Sequence, residues 1–148
     1  MSALLENKKV YFNYEVLESY DAGIELFGFE VKSLRTKKGS LEGSHITMRG
    51  GEAYLINAFV PPFQEKNTPS PYDPRRIRRL LLTKKEIASL AGHEMRKGLT
   101  IVPLSVYNSK RKIKLKLAVV RGKKKFDKRE TIKRRDTQRD VRRELKDR

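Results

Sequence analysis

The stretch LTIVPLSVYNSKRKIKLKLAVV, from Leu99 to Val120, contains two apolar runs separated by the polar segment NSKRK. The second run alternates strictly between aliphatic and basic side chains, Ile113, Leu115 and Leu117 against Lys112, Lys114 and Lys116. A period of two is typical of a β-strand that buries one face. The stretch therefore predicts an antiparallel pair whose second strand displays a row of ammonium groups. That row is either a solvated face or a set of phosphate contacts, and the pattern alone favours a solvated face.

Two other segments suggest strands. HITMRGGEAYLINAFV, residues 45–60, predicts a hairpin in which Gly50 and Gly51 supply the positive φ of a tight turn. VYFNYEVLE, residues 10–18, alternates and predicts a strand with one face made of Val10, Phe12, Tyr14 and Val16. The following SYDAG predicts a turn, after which a second strand is expected to begin at Ile24.

One helix is clearly marked in the sequence. TKKE, from Thr83 to Glu86, fits a capping box, in which the first and last side chains each satisfy a backbone N–H of the other residue. An apolar stripe at helical spacing follows, made of Ile87, Leu90, Ala91 and Met95. Gly98 is placed to end the helix.

These elements predict a mostly β fold. We expect a small closed antiparallel barrel of the OB-like type, with one or more helices packed into it. The barrel is assigned to residues 1–120. Residues 121–148 are assigned to a basic C-terminal tail that is disordered in the free protein.

The charge of the chain indicates its class of partner. The 148 residues carry 35 Lys and Arg against 18 Asp and Glu, a net charge of +17. Residues 121–148 alone hold 14 basic against 6 acidic side chains. Such a surface attracts polyanions and releases their counterions, so nucleic acid is the favoured partner. An anionic membrane is less favoured because the tail has few apolar residues, and solubility alone explains so large a surplus least well.

Several classes of protein are excluded or disfavoured by composition. The chain has no Cys, and His45 and His93 are its two histidines, so a metal site is not expected, nor is any other cofactor. No nucleotide-binding loop, nucleophile elbow or other catalytic motif is present, which predicts a protein that is not an enzyme. Neither a secretory signal nor an apolar run of membrane-spanning length occurs, and we expect a cytoplasmic protein without membrane contact.

A cluster of arginines follows a proline-rich segment. Five of the six prolines fall in PPFQEKNTPSPYDP, residues 61–74, so Gln64 to Asp73 is predicted to form a long surface loop, and RRIRR follows the last of these prolines. The four guanidinium groups, which suit phosphate oxygens, belong to Arg75, Arg76, Arg78 and Arg79. We interpret the cluster as a binding rim on a core strand. The alternative is a charged edge strand that discourages aggregation.

Several motifs resemble those of one family. NKKVYFNYEV, SYDAGIELFGFEVKSLR, DPRRIRRLLL, KGLTIVPLSVY and VRGKKKFDKRETIKRRD occur in the order and at about the spacing found in the bacterial SsrA-binding proteins, also called small protein B. The resemblance covers nearly the whole chain. It implies an RNA-binding adaptor of trans-translation that binds the tRNA-like domain of transfer-messenger RNA. It also implies that this RNA, with elongation factor Tu, enters the A site of stalled ribosomes; alanyl-tRNA synthetase would be an indirect partner through the RNA.

The resemblance also implies an RNA-binding face. Its members would be Asp21, Glu30, Lys32, Leu81 and Thr83. Independently of the resemblance, we also expect Arg35 and, from the cluster, Arg75, Arg76 and Arg78 to bind RNA. The family more often has Glu at position 21, Asn or His at position 83, and Tyr where His45 stands. Asp21 can accept a hydrogen bond from a ribose 2′-OH or a base amine. Other roles remain open: Asp21 as a turn residue, Thr83 as a helix N-cap, and Glu30 as the partner of Lys32 or Arg35.

The tail has features of a conditional helix. Asp127 to Glu130 can cap a helix and Val141 shares a face with Leu145, but the apolar stripe is too thin to hold a helix in water. We therefore expect a helix on a polyanionic surface and disorder without one. The resemblance implies that this surface is the ribosomal messenger channel at the decoding centre. The ribosome-binding residues would be Lys123, Lys124, Phe126, Asp127, Lys128, Arg129 and Ile132, with the cations on ribosomal RNA phosphates and Phe126 stacked on a base.

A different class of protein also fits the charge. A basic structural protein of the ribosome would bind ribosomal RNA permanently. The distribution of the protein between ribosomes and a free complex with a small RNA separates the two possibilities.

Overall fold

The computed structural model describes residues 3–64, 66 and 71–123. They form seven β-strands and three α-helices. In chain order these are β1 Ala3–Glu6, α1 Lys8–Asn13, β2 Tyr14–Ile24, α2 Gly28–Arg35, β3 His45–Arg49, β4 Glu52–Ile56, β5 Arg78–Leu81, α3 Lys84–Glu94, β6 Leu99–Ser109 and β7 Lys112–Gly122. None of the helices in these ranges is long and apolar enough to cross a bilayer.

All seven strands belong to one antiparallel sheet, in the order β1-β6-β7-β2-β5-β4-β3. The prediction of a mostly β fold is confirmed, but the closed barrel is wrong, because the sheet is open between its edge strands β1 and β3. Helix α3 contacts both β3 and β6. Its Glu94 carboxylate accepts a hydrogen bond from the Met48 backbone N–H of β3 at 3.1 Å. A helix side chain thus supplies an acceptor for one backbone N–H of an edge strand, whose unpaired backbone groups would otherwise be open to pairing with another strand.

Both predicted hairpins are confirmed. β3 and β4 pair from His45↔Ile56 to Arg49↔Glu52, and Gly50 and Gly51 have φ of +57° and +76°. β6 and β7 pair along almost their full length. The alternation in β7 has the predicted sense: Ile113, Leu115 and Leu117 are buried in the main core.

The predicted strand over residues 10–18 is wrong in its first half, which forms α1. Val10 turns into a second small core with Val102, Leu104, Ala118 and Val120, on the face of β6 and β7 opposite the main core. A short helix places Val10 over this patch and covers it. A strand would instead place Val10, Phe12 and Tyr14 in a line along one face. Tertiary packing here overrides an alternating pattern.

Two further boundaries differ from prediction. SYDAG forms no turn, because β2 continues through it to Ile24 in register with β7. The chain then enters α2 rather than a second strand, with the side chain of Glu30 accepting a hydrogen bond from the Phe27 backbone N–H at 2.8 Å. This helix was missed because its N-cap position is Phe27, which has no polar capping side chain, and because the face that it buries includes Glu30 and Ser33.

Helix α3 begins as predicted and ends earlier. Thr83 is its N-cap and exchanges two hydrogen bonds with Glu86, of 3.2 and 3.0 Å. Ile87 and Leu90 are buried as expected. The helix ends at Glu94, however, so Met95 is 88% exposed instead of completing the stripe, and Gly98, with φ of +84°, lies in the turn before β6.

Candidate nucleic-acid interface

The arginine cluster is largely occupied by the protein itself. Arg78 and Glu30 are both fully buried. Arg78 donates to Glu30 Oε2 from Nη2 at 2.7 Å and from Nε at 2.9 Å, and to the Ala58 carbonyl at 2.9 Å. In this conformation both side chains are closed to solvent, so their direct contact with RNA stays a prediction that would need a rearrangement.

Glu30 is the centre of a buried network. It accepts hydrogen bonds from the Tyr72 hydroxyl at 2.9 Å and from Arg76 Nε at 3.1 Å, and it is ion-paired with both Arg76 and Arg78. Burial opposes ionisation of Glu30, but the Arg76 and Phe27 hydrogen bonds and the Arg78 charge outweigh it and lower its pKa. Burial and the Glu30 carboxylate raise the pKa of Tyr72 to about 12. The network connects Glu30 of α2 to Tyr72, within the proline-rich segment, and to the two arginines that follow this segment.

The remaining arginines of the cluster also have protein partners. Arg76 lies 4.2 Å from the centre of the Phe27 ring. Arg79 pairs with Glu52 at 2.8 Å and with Glu25 at 3.2 Å, and Arg75 stacks on Phe59 at 5.2 Å. Arg75 and Arg79 nevertheless remain exposed, and the binding rim stays a prediction. The alternative of an edge strand is wrong, because β5 lies between β2 and β4.

Among the described residues, Lys114 and Lys116 on the outer face of β7 are basic side chains that form no salt bridge. The register places Lys116 opposite Asp21, and Lys114 opposite both Gly23 of β2 and Tyr107 of β6. Gly23 is in turn opposite Leu81 of β5. Two of the residues expected to bind RNA, Asp21 and Leu81, thus share one sheet face with the lysine row.

A groove opens beside Asp21, which we call the Asp21 groove. Its polar lining consists of Glu6, Lys8, Tyr11, Asp21, Ser105, Tyr107 and Lys116. The Tyr107 hydroxyl donates a hydrogen bond of 2.7 Å to Asp21 Oδ1. Burial and the neighbouring Asp21 carboxylate raise the pKa of Tyr107 to about 12, so the phenol remains a donor at physiological pH. Aromatic rings, ammonium groups and a carboxylate together suit a nucleotide that has left its stack.

An apolar depression, the Leu81 hollow, lies further along the same sheet face. Gly23, Leu26 and Leu81 line it, and its basic side chains are Arg111, Lys112 and Lys114. A Cβ at Gly23 would lie only 3.1 Å from the Leu81 Cβ. The glycine therefore allows Leu81, which is 48% exposed, to lie against the sheet. Arg35 donates to the Arg111 carbonyl at 3.0 Å and so belongs to the same region.

The other predicted site residues have separate positions. Lys32 is exposed on α2, and Thr83 is occupied as the N-cap of α3. Lys123 donates from its backbone N–H to the Asn13 carbonyl and from Nζ to the Tyr11 carbonyl, both at 2.9 Å. The rest of the predicted tail set lies outside the described residues: Lys124, Phe126, Asp127, Lys128, Arg129 and Ile132.

Sequence reasoning missed part of the groove. Tyr107, Tyr11 and Lys8 gave no local signal, since each stands in an unremarkable stretch of a strand or helix. Their proximity to Asp21 depends on the register of β6, β7 and β2. No group of three or more His, Cys, Asp or Glu in the described ranges could hold a metal ion.

Comparison with known proteins identifies the family. The family model described as SmpB protein matches residues 4–147. A protein of Elusimicrobium minutum named SsrA-binding protein is 46% identical over 95% of this chain and 88% of its own length. The protein of that name from Thermosipho africanus is 45% identical over 99% of this chain and 98% of its own.

A solved structure leads to the same family. It is described as "tmRNA-SmpB: a journey to the center of the bacterial ribosome" and superposes with a TM-score of 0.69 at 47% sequence identity, covering 82% of this chain and 85% of the other. Identity of this level over nearly the whole length, together with the matched fold, agrees with the resemblance seen in the motifs. The chain belongs to the SmpB protein family, the SsrA-binding proteins.

Proposed function

We propose that this protein binds the tRNA-like domain of transfer-messenger RNA and promotes entry of that RNA into stalled ribosomes during trans-translation. The observation that carries the proposal is the family match over residues 4–147. The name SsrA-binding protein among relatives and the ribosomal setting of the similar solved structure support it. Two expectations remain part of the proposal: the protein is a cytoplasmic adaptor and not an enzyme, and elongation factor Tu and alanyl-tRNA synthetase are reached only through the RNA.

We place the RNA on the outer sheet face, from the Asp21 groove to the Leu81 hollow. The lysine row of β7 runs between them, and no carboxylate of the described residues lies within salt-bridge distance of Lys114 or Lys116. Each phosphate neutralised by such a cation releases counterions, which favours binding at low salt. Asp21 and Leu81 supply an acceptor and an apolar contact on the same face.

Glu30 and Arg78 have an indirect part in this proposal. Both are buried, so they act as positioning residues that hold α2 and β5 in place. Arg79 is paired with two carboxylates, and Arg76 shares the Glu30 carboxylate with Arg78. The phosphate contacts of the body are therefore assigned mainly to the lysine row and the basic side chains around the Leu81 hollow.

We assign ribosome binding to the tail, with the residues named above, and RNA binding to the body. β7 continues to Gly122, two residues beyond the boundary drawn from sequence. A chain ending at Lys123 retains the whole strand and is the appropriate body. We expect it to bind the tRNA-like RNA with nearly the affinity of the full chain in a gel shift at physiological salt. A large loss would place the main RNA platform in the tail.

The proposal is tested by recovering the protein from a bacterial lysate and sequencing the bound RNA. Strong enrichment of transfer-messenger RNA, in a fraction that sediments apart from ribosomes as well as with them, is expected. Recovery of ribosomal RNA alone, always with intact subunits, would favour the basic structural protein of the ribosome instead. Random messages without a tRNA-like RNA would contradict both.

A further inference from the structure

We propose that Tyr107 is a positioning residue for RNA binding: its hydroxyl holds the Asp21 carboxylate away from Lys116, so that both charged groups remain available to one nucleotide. The inference rests on the proposed function, because it concerns the same groove. It assigns to Tyr107 a task that neither its position in the sequence nor the resemblance indicates.

The starting point is a missing ion pair. Asp21 and Lys116 are directly opposite each other on β2 and β7 and line the same groove. Side chains at opposite positions of an antiparallel pair have Cβ atoms about 4.5–5.5 Å apart, within easy reach of a lysine. Nevertheless Lys116 forms no salt bridge, either with Asp21 or with any other carboxylate of the described residues.

The carboxylate is held by a different group. Tyr107, on the far side of β7 in strand β6, donates to Asp21 Oδ1 at 2.7 Å. A hydrogen bond from a phenol to a carboxylate is charge-assisted and therefore stronger than a neutral one. The phenol is rigid beyond its first two torsions, so it holds the carboxylate in one orientation. No described residue donates a hydrogen bond to Asp21 Oδ2, which remains an acceptor.

The resulting arrangement suits one ribonucleotide. Lys116 offers an ammonium group to a phosphate, and Asp21 Oδ2 offers an acceptor to a ribose 2′-OH or a base amine. An Asp21–Lys116 ion pair would remove both at once. Replacing Tyr107 by Phe keeps the ring and removes only the hydroxyl, and we expect it to let this ion pair form.

The decisive measurement is the salt dependence of binding to a transcript of the tRNA-like domain. Every phosphate contact adds about 0.7–0.9 to the slope of log affinity against log salt. We expect Tyr107→Phe in the full-length protein to weaken binding between about threefold and tenfold, and to reduce the slope by about one contact. Lys116→Met should reduce it equally, and adding Tyr107→Phe to Lys116→Met should reduce it no further.

A rescue variant separates this mechanism from a general loss of charge complementarity. In Tyr107→Phe/Asp21→Asn no carboxylate remains opposite Lys116, so the slope should return to that of the unmodified protein. The matched control is Tyr107→Phe/Glu6→Gln, which removes another carboxylate of the same groove and raises net charge equally. It should leave the slope reduced.

Thermal unfolding of each variant provides the control for folding, and Tyr107→Phe is expected to keep a melting temperature close to that of the unmodified protein. An unchanged slope in Tyr107→Phe, or equal rescue by Glu6→Gln, would overturn the role given to Tyr107 while leaving the proposed function intact. Failure of the unmodified protein to prefer the tRNA-like transcript over an unrelated hairpin would overturn the proposed function itself.

Discussion

Glu30 offers the sharpest test of how this fold is held together. The change is Glu30→Gln, which keeps the shape of the side chain and removes its charge. Two arginines then lose their ionic partner, and Arg78 is fully buried. Breaking a buried ion pair by removing one member costs about 3–5 kcal/mol, because it leaves an uncompensated charge away from water. A domain of this size has a total stability of about 5–15 kcal/mol.

The assay is thermal and urea unfolding, with RNA binding measured below the transition. A loss of about 3 kcal/mol corresponds to a fall in melting temperature of roughly 10 °C or more. The matched control is Glu52→Gln, whose partner Arg79 is exposed; the melting temperature should hardly change, because exposed pairs contribute little. The Glu30→Gln protein should bind RNA normally at temperatures and urea concentrations at which it is still folded.

The same carboxylate predicts a pH dependence. The folded-state pKa of Glu30 is lowered, so its contribution to stability is complete above the unfolded-state pKa of about 4.3. The contribution is lost as the pH falls through the lower folded-state value. The unmodified protein should therefore lose stability in acid more steeply than Glu30→Gln.

One outcome of the unfolding and binding assays would refute the positioning role of Glu30. If Glu30→Gln had an unchanged melting temperature and no longer bound RNA, the direct contact that the resemblance implies would be restored.

Three other changes test separate parts of the structure. Gly23→Ala should weaken RNA binding clearly while lowering the melting temperature in unfolding scans only slightly, because the new Cβ meets Leu81 at 3.1 Å and displaces it from the hollow. An affinity equal to that of the unmodified protein would exclude the Leu81 hollow from the RNA-binding surface. Thr83→Ala should lower stability by about 1 kcal/mol through loss of the N-cap, and Thr83→Asn should preserve it. Ile132→Pro leaves the charge of the tail unchanged and costs about 3 kcal/mol in a helix interior. We therefore expect normal RNA binding but failed peptide tagging in reconstituted trans-translation. Normal tagging would show that the tail acts only through its charge.

The elements predicted correctly are those whose signal is local. The β3–β4 hairpin was predictable because Gly50 and Gly51 suit one kind of turn, and α3 because Thr83 and Glu86 satisfy each other within one turn. The buried face of β7 followed from its alternating pattern. In the hairpin turn and the capping box, one short segment contains both partners of the interaction. In β7 the pattern lies within one strand, although the residues that pack against it are distant.

The elements that were missed depend on distant partners. The alternation of residues 10–18 resembles a strand, but the second core under α1 is formed by β6 and β7, about a hundred residues later. The arginine cluster looked like free positive charge because its carboxylate partners, Glu25, Glu30 and Glu52, lie 27 to 54 residues before the arginines with which they pair. Asp21 was identified through the resemblance, and its partner Tyr107 only through the register of three strands.

The position of Lys123 connects the two parts of the proposed mechanism. Its hydrogen bonds to the carbonyl groups of Tyr11 and Asn13 attach the last described residue to α1, and Tyr11 also lines the Asp21 groove. The first residue of the predicted ribosome-binding set is therefore fixed to the folded body, next to the surface that we assign to RNA. If the body binds the tRNA-like domain there, the starting point of the tail is set relative to the RNA by the two hydrogen bonds of Lys123, one from its backbone N–H and one from Nζ. A tail that starts from a fixed point can reach only a limited region of the ribosome, whereas a tail on a long flexible linker would sample a wide volume.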